Sequence, residues 1–86
     1  MKNIELIDLA IKKVGGLREL SRQIGWNHGS IAQAKRDGKI PPHIAVELAE
    51  IVETSTVEAW LEASRSQKIT EKERAILGKL LKIFKA

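Results

Sequence analysis

The chain has 86 residues, of which 43% are hydrophobic and 30% charged, with no cysteine and a formal net charge of +4. That length fits one compact unit of short elements, the missing cysteines exclude disulfides and thiolate metal sites, and no apolar run approaches the roughly 18 residues of a membrane span. The charge favours an acidic partner and is segregated: residues 10–43 carry seven basic and two acidic residues, 44–63 five acidic and no basic ones, and 64–86 seven basic and two acidic.

From Asn3, the positions Ile4, Ile7, Ile11 and Val14 recur at spacings of three and four with Leu6 and Ala10 beside them. This predicts an amphipathic helix that stops at Gly15-Gly16. Leu17, Leu20 and Ile24 predict a second, short helix with Arg18, Arg22 and Gln23 on its other side, closed by Gly25. Asn27 is a good N-cap for a third helix carrying Ile31 and Ala34 inward and Lys35 and Arg36 outward, as far as Asp37-Gly38. Pro41-Pro42 opens a fourth, with Ile44, Leu48 and Ile51 as the buried stripe and Glu47, Glu50 and Glu53 on the remaining surface. Ser55-Thr56-Val57-Glu58 matches a capping box, so a fifth helix runs through Trp60 and Leu61 to about Ser64. Thr70-Glu71-Lys72-Glu73 is a second such match. It introduces a last helix with Ile76, Leu77, Leu80, Leu81 and Phe84 on one face and Lys72, Lys79, Lys82 and Lys85 away from it. Val and Ile fall at helical spacing and no alternating strand pattern occurs, so the fold class is all-α.

The stretch from Leu17 to Arg36 reads as helix, tight turn, helix. Two short helices crossing steeply need a small residue at their contact, a glycine at the turn and apolar residues flanking it, and Ser21, Gly25, Trp26 and Ile31 stand at those places. With the Gly15-Gly16-Leu17-Arg18-Glu19-Leu20 lead-in and Ile40-Pro41-Pro42 after it, residues 3–64 resemble the Cro and repressor family of temperate phages. They are also similar to small repressor-like proteins of filamentous phages. Two positions depart from the family pattern: Ser21 stands where alanine is usual, and Gly29 lies inside the helix that reads DNA.

The resemblance implies a five-helix Cro/repressor-type helix-turn-helix domain over residues 1–66; the amphipathic C-terminal helix over 67–86, read from its own capping box and apolar stripe, is assigned to packing or dimerisation. It places base reading at His28, Gly29, Ala32 and Gln33, since glutamine can pair bidentately with adenine and an alanine methyl can touch that of thymine. It places Arg18, Asn27, Lys35, Arg36, Lys39 and His43 at the DNA backbone, where contacts set affinity and salt dependence. The implied function is transcription regulation: a phage or prophage Cro-like repressor in the bacterial cytoplasm, a homodimer on a near-palindromic operator in double-stranded DNA. No cofactor, metal, membrane or small-molecule ligand is expected.

Other readings compete with these. Any one of the basic residues can be plain solvated surface. Trp26 and Trp60 resemble stacking platforms for single strands, but both fall on faces predicted to point inward. The glutamates repeat at helical spacing without a histidine or nucleophile, which reads as a solvated face that repels DNA. No phosphate-cradling glycine loop, His-Glu-x-x-His motif or catalytic triad is present in the sequence, so a binding protein is expected and not an enzyme. The apolar stripe of the last helix, with Trp60, Leu77, Leu80, Leu81 and Phe84 as candidate contacts, leaves two partners open. One is a second copy; the other, in an antitoxin-like protein, is a different protein captured by this helix.

Overall fold

A computed structural model describes residues 1–85 of the chain. It contains α1 (Asn3–Val14), α2 (Leu17–Ile24), α3 (His28–Asp37), α4 (Pro42–Ile51), α5 (Thr56–Ser66) and α6 (Glu71–Lys85). No strand occurs among the described residues, so the class is all-α as expected. None of the helices is long and apolar enough to cross a membrane.

One core joins α1 to α5. Ile7, Leu20, Ile31, Ile40 and Leu48 are its largest fully buried side chains, each worth about 1.5–3 kcal/mol in apolar burial. Leu17, Ile24 and Trp26 pack partly buried against it, so the α2–α3 unit is fastened to the core from both of its helices. Asn3, only 5% exposed, donates from Nδ2 to the Gly38 carbonyl at 2.9 Å, tying the start of α1 to the end of α3.

Four features differ from the sequence-based expectation. Trp60 points outward and is 45% exposed, because α5 turns the small residues Ala59 and Ala63 to the core and meets α4 across Ala45 and Ala49. Short side chains let the two helices approach closely, and the indole has no room between them. Glu53 is not on α4; it follows the helix end in the left-handed region, with φ 58°. There the Thr54 N–H reaches back to the Ala49 carbonyl at 2.9 Å, a closure that glycine usually provides. Ile4 is exposed at the edge of α1. Finally, α6 packs on α5 alone among the helices, and of its apolar stripe only Leu81 is buried and Leu77 half-buried. Leu81 is therefore engaged within the chain and is not free to meet a partner.

Both capping boxes form at their first serine or threonine. The Ser55 hydroxyl accepts from the Glu58 N–H, but the Glu58 carboxylate turns to the N-terminal ammonium at 3.0 Å instead of closing the box. Thr70 and Glu73 close theirs in both directions, which starts α6 without help from the core.

Candidate nucleic-acid interface

The geometry of α2 and α3 is set by local chemistry at the turn Gly25-Trp26-Asn27. Gly25 sits at φ 64°, a conformation that costs a residue with a Cβ roughly 1–2 kcal/mol. This brings the N–H groups of Gly25 and Trp26 back to the Ser21 carbonyl, and the Ser21 hydroxyl donates to the Trp26 carbonyl. The serine is thus small enough for the helix crossing and also stitches the turn from its own side chain. Asn27 then caps α3, its Oδ1 accepting from the Gly29 N–H at 2.7 Å. A Cβ on Gly29 would lie 2.9 Å from that same oxygen, so a larger residue there would push the cap aside.

With about 100° between successive residues, α3 presents one side to the core through Ile31 and Ala34 and the opposite side to solvent. His28, Gly29, Gln33 and Arg36 are exposed on that outer side, with half-buried Ala32 at its flank. All four positions expected to read bases therefore share one face. Arg36, expected at the phosphates, shares it too: its Nη2 donates to Gln33 Oε1 at 2.9 Å, while Gln33 Nε2 donates to Asp37 Oδ2 at 3.4 Å. The Asp37 carboxyl is held below its ordinary pKa, first by the Lys39 backbone N–H and further by Gln33. The Gln33 amide is consequently oriented by an arginine on one side and a carboxylate on the other.

The expected backbone residues are dispersed. Arg18 is exposed at the start of α2, Lys39 follows α3, and His43 lies exposed in the first turn of α4. Lys35 differs from these: its ammonium pairs with Asp8 of α1 at 3.1 Å, which turns it toward the protein. On α2, Arg22 pairs with Glu19, which also accepts from Gln23; the arginine bond pulls the Glu19 pKa down and raises that of Arg22.

Comparison with protein-family models, with curated proteins and with solved structures finds no match. Among the described residues no three His, Asp or Glu side chains come together as a metal site. What is assembled is a ten-residue helix with a polar outer face. An α-helix with its side chains is about 10–12 Å across, close to the roughly 12 Å width of a DNA major groove.

Sequence reasoning missed Asp37 and Asp8. The first had a local signal, since it stands four residues after Gln33 on the same helix; the second had none, because α1 and α3 meet only in the fold. Also unforeseen is a mainly basic surface beside the Gly38 end of α3, where Lys2, Arg65 and Arg74, with Glu62 as the acidic member, line a cavity of about 290 Å³.

Proposed function

We propose that the chain is a sequence-specific double-stranded DNA-binding regulator of the helix-turn-helix type. It is a Cro-like repressor of phage or prophage character that acts in the bacterial cytoplasm by occupying a near-palindromic operator as a homodimer. The observation that carries this reading is α3 itself: one face locked in the core by Ile31 and Ala34, the other carrying His28, Gln33 and Arg36 in solvent. Gln33 supplies a donor and an acceptor for adenine, and Arg18 and Lys39 flank the helix with positive charge for phosphates. Repression needs no ligand, because occupancy of the operator excludes the polymerase and depends on protein concentration alone. The test is selection of duplexes from a randomised library by the purified protein at near-physiological salt. Enrichment of a near-palindrome with half-site centres about one helical turn apart is the expected result, and an unenriched pool refutes the reading.

One observation favours a second reading. Along α6, Ile76 and Phe84 are each 51% exposed and Ile83 70%, an apolar surface too continuous to be scattered single residues. In the homodimer this surface meets its twin; in an antitoxin-like protein it captures another protein. The paired substitution Leu80→Asp and Phe84→Asp separates them, because both side chains are exposed on α6, at 37% and 51%, and lie outside the cluster that joins α1 to α5. The repressor reading predicts a folded monomer by light scattering that has lost operator affinity. Unchanged self-association and unchanged DNA binding favour the second.

A further inference from the structure

The second basic block of the chain has a place in the fold. Between α5 and α6 runs an open groove of about 560 Å³, bordered by Arg65, Arg74, Lys79 and Lys82 with Glu71 as its one acidic neighbour. Arg65 and Arg74 also border the cavity beside Gly38, so the groove continues, through them and Lys2, to the C-terminal end of α3. Arg74 lies across this junction, its Nη1 donating to the Arg65 carbonyl at 2.8 Å. None of these five cations forms an ion pair among the described residues. Like charges gathered along one trough repel each other, and a polyanion relieves that repulsion.

The floor of the groove carries a second signal. It consists of Ala75, Gly78 and Leu81, and a Cβ built on Gly78 would meet nothing within 4 Å. Glycine inside a helix weakens it relative to alanine. No neighbour in the chain fills the place of the missing methyl, so Gly78 leaves the groove deeper than an alanine would.

We propose that this trough binds the sugar–phosphate backbone of the DNA flanking the segment that α3 reads, a proposal that rests on the DNA-binding reading above. The cations on its borders face phosphate oxygens, and the small apolar floor takes the sugar edges. The backbone crosses the rim of the cavity at Gly38 without entering it, because the unpartnered acceptors Asn3 Oδ1 and Glu62 Oε2 belong to residues lining that cavity and would repel an anion. Contact begins next to α3 and extends along α6, which makes the protected DNA longer than one recognition helix can cover.

The test uses the full chain, the selected operator, and two duplexes that either end at its edge or extend about one helical turn beyond it. The variants are Lys79→Gln with Lys82→Gln, and Gly78→Ala. The lysine pair should lower the salt slope on the long duplex by about 2 and weaken binding there by up to roughly 60-fold at 0.1 M salt, while the short duplex is bound as before. Gly78→Ala should raise the melting temperature yet weaken binding to the long duplex only. Equal weakening on both duplexes would mean a diffuse charge effect, and unchanged binding on both would leave the trough to an acidic protein; either result overturns the proposal. An unselected pool in the library experiment removes the DNA-binding reading itself, whereas a selected operator with indifferent variants removes the trough alone.

Discussion

The contact between Arg36 and Gln33 makes a prediction that differs from independent roles for the two residues. If Gln33 pairs with an adenine, Gln33→Ala removes about 1–3 kcal/mol of discrimination, a roughly 5- to 150-fold loss of preference at one position per half-site. If Arg36 only met a phosphate, Arg36→Ala would weaken every duplex alike, by about eightfold at 0.1 M salt for one neutralised charge. The 2.9 Å bond from Arg36 Nη2 to Gln33 Oε1 adds a further effect, because it fixes which way the amide faces. In the exposed free protein such a bond contributes little, but in a groove cleared of water it contributes about 0.5–1.5 kcal/mol. Arg36→Ala should therefore also erase part of the preference at the position Gln33 reads, by about two- to tenfold. The assay is a double-mutant cycle of Gln33→Ala and Arg36→Ala, measured by titration against the operator and a duplex changed at that one base pair. Additive losses, with discrimination intact in Arg36→Ala, would refute the coupling. Equal losses on both duplexes for both variants would refute base reading by this face.

The two tryptophans should separate on denaturant unfolding. Trp26→Ala is expected to cost about 2–4 kcal/mol, since the indole packs on the core and holds the turn, whereas Trp60→Ala, at 45% exposure, should cost under about 1 kcal/mol. Costs in the reverse order would contradict the placement of α5. Asp37 supplies a pH prediction. Its carboxyl is depressed by the Lys39 N–H and then by Gln33, so its contribution is present above the unfolded aspartate value and disappears only as acid carries the pH through the lower folded value. Side-chain amide resonances of Gln33 should move with the Asp37 carboxyl, below the ordinary carboxylate range, and resonances that stay unmoved through that acid range would show that the link to Asp37 is absent.

What could be read from the sequence was local. Gly25, Asn27 and the Thr70–Glu73 pair act within a few residues of themselves, so turn, cap and capping box were visible from spacing alone. Most of the core stripes of α1 to α4 followed from periodicity for the same reason, though Ile4 is exposed and Ile51 half-buried. Trp60 was not legible, because periodicity marks large apolar residues and α5 buries the alanines beside it; helix spacing, decided by Ala45 and Ala49 on α4, overrode hydrophobicity. Glu53 was missed because a left-handed closure without glycine has no compositional sign. The Arg36–Gln33–Asp37 series was present at spacings of three and four, yet the resemblance directed Arg36 to phosphates and hid its neighbour. Lys35 could not have been paired with Asp8 before the helices were placed.

The alternation of charge along the chain acquires a physical meaning from this placement. The acidic residues 44–63 form α4 and α5, which lie between the α2–α3 unit and α6, so that negative surface separates two positive ones. A polyanion approaching the protein is repelled from exposed Glu47 and Glu50 of α4 and attracted both to the outer face of α3 and to the trough along α6. The two attractive surfaces adjoin at the Gly38 end of α3, where Asn3 fastens α1 to the turn and Gln67 Nε2 fastens the α5–α6 connection to the Ile40 carbonyl at 2.7 Å. Those two hydrogen bonds hold the basic residues of both blocks in a fixed relation across the loop. Cutting the second with Gln67→Ala leaves every charge in the chain and loosens their registration, at the cost of the side-chain donor to the Ile40 carbonyl. A surface that worked by net charge alone would bind as before, while one built to follow a single DNA backbone would lose affinity for long duplexes in preference to short ones.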